Sequence, residues 1–235
     1  MEKYTAKKID YIDSSIETIE PAHSSATLAL ELGKVAIDFA SIERVPRYSE
    51  QHRENDAEHS FMLALVANEL ARTLYPTSID AGLVTQYSMV HDLIELKTGD
   101  VATFNLDSTE LANKEALEHA ALQELLEQLP PFTRDLVHDY EQQSSLEARF
   151  VRAVDKLLPI VVDILGAGRK VMNEDYGIST VDELQVTHRM QEKRMAERFH
   201  EFPHIIDGHA LLGELFEIEF GITPTPPRQT QEAQG

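Results

Sequence analysis

Apolar residues in this chain recur at intervals of three and four, with no convincing stretch of strand-like alternation. That regularity commits most of the chain to helices. It runs through Leu28, Leu30, Leu32, Val35, Ile37 and Phe39 between Ala26 and Ile42, and through Met62, Leu63, Val66, Leu70 and Leu74 between Ala57 and Leu74. A third helix starts at Ile79 or Asp80 and continues into His91–Asp100, with Leu83, Val84, Tyr87, His91 and Ile94 on one stripe. Further helices are predicted over Thr109–Leu129, Phe132–Glu141, Ser145–Leu165, Val181–Phe202 and Ile205–Phe220. In the long one Val151, Val154, Leu158, Val162 and Leu165 form the stripe, and Pro159 inside it should kink it. Pro46 ends the first helix, which puts Arg44 and Arg47 on a loop; the polar run Ser49–Asp56 reads as a connector, with Asp56 as the next N-cap. Segment Gly166–Gly177 reads as turn-rich, with one helical turn around Arg169–Met172, and Ser179 or Thr180 caps the helix after it. The expected fold class is all-α.

At 235 residues the chain is long enough for one domain with a sizeable core. Residues 1–25 read as an N-terminal extension, 26–220 as a single domain, and 221–235 as a disordered tail. Twenty-one Lys and Arg stand against 41 Asp and Glu, a formal charge of -20, which repels a duplex phosphate backbone. The N-terminus lacks the apolar core of a signal peptide or membrane span, so a cytoplasmic location away from membranes is the expectation. With no cysteine, any metal must use histidine and carboxylate.

Three points on three helices carry such groups at or beside buried stripes: His59, the His91-Asp92 pair, and Asp155. On a regular helix Glu95 lies about 40° from His91 and about 60° from Asp92, so all three share one side. Gly99 can supply the left-handed residue that ends the helix, and Asp100 follows on the turn. Each residue has a plainer explanation. A lone inward histidine is more often a hydrogen-bonded core residue, and Arg152 or Lys156 could pair with Asp155. A buried carboxylate nevertheless needs a partner, because leaving it alone costs several kcal/mol. Two imidazoles and two carboxylates would suit one Mn, Co, Fe, Ni or Zn ion better than Mg. The chemistry expected of such an ion is hydrolytic, with Glu95 as the carboxylate that orients water or moves a proton.

The residues quoted resemble the HD-domain metal-dependent phosphohydrolases. Glu58-His59-Ser60, the run His91-Asp92-Leu93-Ile94-Glu95-Leu96-Lys97-Thr98-Gly99-Asp100, and Glu141–Val151 leading to Asp155-Lys156 are similar to the 5'-deoxynucleotidase branch and its eukaryotic relatives. The matched region spans 42–166. The resemblance implies an all-α HD-domain bundle with additional C-terminal helices. It also implies His59, His91, Asp92 and Asp155 as ligands of one metal, Glu95 as the catalytic carboxylate, Asp100 on the sugar and Arg44 on the phosphate. Bacterial members carry Trp after that arginine, whereas this chain has Val45, as the eukaryotic-like relatives do.

The expected activity is release of phosphate from nucleoside 5'-monophosphates, deoxyribonucleotides first. The alternatives are a nucleoside triphosphate hydrolase and a non-catalytic nucleotide sensor. The other histidines, His119, His138, His188, His200, His204 and His209, read as surface or structural. Helices beyond Val181 are expected to serve core packing or a homodimer contact.

Overall fold

A computed structural model describes residues 20–100 and 121–222. The expectations for 1–19, for most of the helix begun at Thr109, and for the tail from 223 lie outside them. The elements are α1 (Glu20–Phe39), β1 (Glu43–Ser49), β2 (His52–Asn55), α2 (Asp56–Leu74), α3 (Ala81–Val90), α4 (Glu95–Thr98), α5 (121–128), α6 (Pro131–Gln142), α7 (Leu146–Leu165), α8 (Val181–Arg198) and α9 (Pro203–Gly221). A helical turn at Gly168–Lys170 and a π turn at Val171–Asp175 link α7 to α8. The fold is all-α, with one small hairpin. Among the described residues no helix is long and apolar enough to cross a membrane.

Helix α7 is the axis of the bundle. It packs against α2, α3 and α9 and buries Ala148, Phe150, Val151, Ala153, Val154 and Leu158 completely. Its start is set by Ser145, whose hydroxyl accepts from the Ala148 N–H at 3.1 Å, a cap worth about 1 kcal/mol. Asp80 caps α3 through the N–H groups of Gly82 and Leu83, and Thr180 caps α8 in a reciprocal box with Glu183. Pro203 opens α9 at a position where its missing N–H costs nothing. Phe150, Phe202 and Tyr75 meet edge to face at 5.2 to 5.8 Å and tie the ends of α7 and α2 to the turn before α9. A second apolar cluster, including Ile160, Met172, Leu184, Phe216 and Phe220, seats α8 and α9 on the far end of α7.

The structure corrects several boundaries. Helix α1 begins at Glu20, and of its expected stripe Phe39 is buried while Leu28, Leu30 and Ile37 face outward. Leu165 is 80 % exposed, because it is the last residue of α7, whose final turn buries Val162 and Asp163 instead. Helix α8 stops at Arg198, four residues early, since Phe199 and Phe202 turn inward to the core. The N-cap of α2 is Asn55. Its Oδ1 accepts from the Glu58 N–H at 3.0 Å while Glu58 Oε2 accepts from the Asn55 N–H at 3.1 Å. Asp56, expected as the cap, is the first residue of the helix and is fully buried.

The largest departure is the hairpin. Residues expected as loop and connector pair antiparallel, Glu43 with Asn55, Arg47 with Arg53 and Ser49 with His52, with shifts of register between them. Charged side chains are buried in it beside Pro46 and Val45, notably Glu54 and Arg44, so no apolar alternation marks it. Asp175 holds it from the π turn by accepting from Arg47 at 3.0 Å and Arg53 at 2.6 Å. The backbone of β1 also lies on the end of α7, where a Cβ at Gly166 would stand 2.2 Å from the Arg47 carbonyl oxygen. Only glycine fits there.

Candidate metal centre

The bundle brings His59, His91, Asp92 and Asp155 together from α2, from the end of α3 and from α7. One ligating atom of each lies within 4.8 Å of all the others. For ligands about 2.1 Å from an ion, neighbours stand about 3 Å apart and opposite ones about 4.2 Å, so the span suits a single centre. His59 Nε2 is 2.9 Å from Asp155 Oδ1, and His91 Nε2 is 2.8 Å from Asp92 Oδ2 and 3.8 Å from Asp155 Oδ1. His59 and His91 are buried, with ring centroids 5.2 Å apart. Tyr140 of α6 presses its ring edge-on against His91 at 6.3 Å.

The expected continuous helix through His91 is broken. Helix α3 ends at Val90, and bonds from Leu93 to Val90, Glu95 to Asp92, Leu96 to Leu93 and Lys97 to Ile94 span three residues each. In that tighter winding, residues three apart eclipse. Asp92 and Glu95 therefore stack on one edge, and with Asp56 their oxygens lie within 4.8 Å of one another. Gly99 adopts φ 70°, a value its lack of a side chain allows, and its N–H closes the turn on Glu95 at 2.7 Å.

Two further acids line the centre: Glu54, unmarked in the sequence, and Asp56, expected as a helix cap. Glu54 Oε2 faces His59 Nδ1 at 3.4 Å and Arg44 Nε at 3.3 Å, while its other oxygen accepts from Tyr48 at 3.1 Å. The signal for Asp56 was the capping box of Asn55 with Glu58, which makes Asn55 the cap and Asp56 the first helical residue; no sequence signal marks Glu54. Arg44 is in place on β1. Its Nη1 donates to Asp92 Oδ2 at 2.8 Å and Asp56 Oδ1 at 3.2 Å. Asp100 follows Gly99, near enough for its charge to act on Arg44, Asp56 and Glu95. Val45 packs against the second apolar cluster.

Charge in the centre is uneven. Burial opposes the ionised form of Asp92, yet His91 and Arg44 hold it well below the carboxylate range. Burial also opposes Asp155, and Lys156 and His59 overcome it. Burial and Arg44 resist charging of His59, but its hydrogen bond with Asp155 and the adjacent Glu54 carboxylate lift it to about 9. Glu95 goes the other way. Burial, then Asp92, Asp100 and Asp56, push it up to about 11 against the pull of Arg44.

These residues fit a metal ion. The His91 Nδ1–H donates to the Ser88 carbonyl at 2.9 Å, which fixes the tautomer and leaves Nε2 a lone pair. That lone pair faces the Asp92 oxygen at 2.8 Å and has no hydrogen-bond partner. The nitrogen and the oxygen are placed so that one cation can contact both. Oxygens of Asp56 and Glu95 are likewise buried without a partner. The centre is built with more acceptors than its own cations satisfy.

A family model described as an HD domain matches residues 40–198. A human 5'-deoxynucleotidase is 27% identical over 146 residues, covering 57% of this chain and 69% of that protein. A 5'-deoxynucleotidase from Yersinia pestis (strain Pestoides F) is 30% identical over 138 residues, covering 57% and 68%. In fold, the chain is similar to a "predicted metal-dependent phosphohydrolase" from Magnetospirillum magnetotacticum MS-1, with TM-score 0.55 and 24% identity over 80% of this chain and 93% of that one.

Proposed function

The chain belongs to the HD-domain family and is a phosphohydrolase, and from that premise we propose that it releases orthophosphate from nucleoside 5'-monophosphates, deoxyribonucleotides first. His59, His91, Asp92 and Asp155 hold one divalent transition metal ion. What supports this reading is the unpartnered Nε2 of His91, aimed at a carboxylate inside a quartet of ligating side chains. When bound, such an ion lowers the pKa of water from 15.7 towards about 7 and polarises a phosphoryl oxygen. The mixed nitrogen and oxygen set favours Mn, Co, Fe, Ni or Zn over Mg.

The chain's own groups do the rest. The Ser88 carbonyl holds the His91 ring in one tautomer, and Glu54 stands against the outer nitrogen of His59. Arg44 neutralises carboxylates at the centre and meets the substrate phosphate. Glu95, buried beside Asp92, passes a proton to the departing sugar oxygen. Asp100, after the Gly99 turn, contacts the sugar. Leu211, Leu215 and Ile218 leave an apolar stripe exposed on α9. A homodimer contact there is part of the proposal, and sedimentation measures it.

Phosphate release from ribo- and deoxyribonucleoside mono-, di- and triphosphates tests the activity, using metal-stripped protein resupplied with Co, Mn, Zn or Mg. Metal-dependent orthophosphate from deoxynucleoside monophosphates is the expected result. Turnover of triphosphates alone moves the substrate assignment to triphosphate hydrolysis. Tight nucleotide binding with no release under any metal overturns the activity.

A further inference from the structure

A second set of carboxylates adjoins the quartet, and a cation of the chain's own already sits in it. Oxygens of Asp56, Asp92 and Glu95 lie within 4.8 Å of one another. Arg44 Nη1 stands 2.8 Å from Asp92 Oδ2, 3.2 Å from Asp56 Oδ1 and 3.9 Å from Glu95 Oε2. One guanidinium nitrogen is therefore within ion-pair distance of all three. Asp92 belongs to both sets. Ions held in both would share it as a bridge, as in the paired centres of two-metal hydrolases, whose ions stand about 3.5–4 Å apart.

The pocket is a built one. Asp56 is fully buried, Glu95 is 5 % exposed, and the Arg44 side chain is 10 % exposed. Asp56 Oδ2 and Glu95 Oε2 remain without a hydrogen-bond partner, so a single positive charge does not exhaust the acceptors. The guanidinium is held on its other edge as well, with Nε 3.3 Å from Glu54 Oε2. Its strand is fixed behind it by Asp175 through Arg47 and Arg53.

We propose that Arg44 is a tethered cation that fills the second carboxylate set and so limits the centre to one metal ion. This rests on reading the quartet as a one-metal site. A covalently attached charge is present at high effective concentration, and a guanidinium keeps that charge at every working pH. A free ion must first shed water and then displace it. Because Arg44 bears one charge where an ion would bear two, the set stays net negative. It remains able to take a divalent ion once the guanidinium is gone. The same position lets Arg44 stabilise charge on a transferring phosphoryl group, the service a second ion gives elsewhere.

Metal titration separates the two claims. Metal-stripped wild type, Arg44→Ala, Arg44→Lys and the double variant Arg44→Ala with Asp56→Asn are titrated with Mn2+. Bound metal is counted by mass spectrometry, and Mn2+ electron paramagnetic resonance reports whether ions are coupled. Wild type, Arg44→Lys and the double variant are expected to bind one equivalent with an isolated-ion spectrum. Arg44→Ala is expected to bind two, with the spectrum of an exchange-coupled pair. Arg44→Gln removes the charge while keeping a polar side chain, and gives the same two-ion result should the alanine variant not fold. One equivalent in every folded form overturns the tethered cation and leaves the quartet standing, as does a second equivalent in wild type. No bound metal in wild type overturns the quartet itself.

Discussion

Two pairs of histidines are buried in this fold to the same depth, and their surroundings are opposite. His59 and His91 are 0% and 3% exposed, and His188 and His209 are 2% and 1%. The first pair is ringed by Asp155, Asp92 and Glu54 from three elements. In the second, His188 has one carboxylate, Glu217 at 2.8 Å, and lies over Gly213, where a Cβ would meet its Nδ1 at 3.3 Å. His209 has no bond at either ring nitrogen, and burial, then His188, pushes it down to about 4. Burial of an imidazole therefore does not mark a ligand. The carboxylates facing it do, and a carbonyl behind the ring that holds the proton on one nitrogen and leaves the other a lone pair, as Ser88 does for His91, marks it more sharply.

The contrast breaks most visibly if a ligand is removed on each side. Asp155→Ala is expected to lose the bound ion and phosphate release together, to background, in metal analysis and in the assay. His188→Ala should keep the ion, and its loss there would erase the distinction between the pairs. Next in size is Glu95→Ala, which should hold metal as the wild type does while turnover falls about 10²- to 10⁴-fold. Undiminished turnover would remove Glu95 from the chemistry. Glu54→Gln leaves the quartet intact but withdraws the charge behind His59. Metal affinity by calorimetry should weaken about 10- to 100-fold.

The smallest effect is on stability against pH, and it sharpens the same contrast. Near the centre Asp163 is buried, and burial together with Glu54 raises it to about 8 from 3.8. Its folded form keeps a proton that the unfolded chain gives up, so stability falls as pH rises from about 4 to 8. His209 works oppositely. Its folded form refuses a proton that the unfolded chain takes below 6.5, so stability falls as pH drops from 6.5 to about 4. Each slope is at most about 1.4 kcal/mol per pH unit. The two contributions cancel between about 4 and 6.5 and leave a decline of about 2 kcal/mol from 6.5 to 8. His59 and Glu95, raised to about 9 and 11, add their own fall over this range, so denaturant midpoints should show the wild type declining more steeply than Asp163→Asn, by about 2 kcal/mol between pH 6.5 and 8. His209→Leu should instead extend the decline down to about pH 4.

The helices and the quartet were legible because their signals are local. A period of three and four exposes α2, α3 and α7, and an acidic or imidazole group inside such a stripe is conspicuous, as His59, His91 and Asp155 were. The hairpin was not legible. Its inward groups, Arg44 and Glu54, satisfy one another by charge, and charged residues in a short polar run look solvated until the fold closes over them. The tightened turn after Val90 was hidden for a different reason: a regular helix and a three-residue winding share the same apolar stripe over so few residues. Reading Asp56 as a cap concealed a buried acid, although Asn55 with Glu58 three residues later spells the capping box. His188 and His209 were read as surface or structural, and only their burial, on α8 and α9, shows them as structural.

The most direct test is a crystal structure of the metal-reconstituted protein, with data collected on both sides of the metal's absorption edge. One anomalous peak is predicted, about 2.0–2.2 Å from Nε2 of His59, Nε2 of His91 and carboxylate oxygens of Asp92 and Asp155. A peak against His188 and Glu217, or no peak at the quartet in protein that carries one ion per chain in solution, would contradict the account.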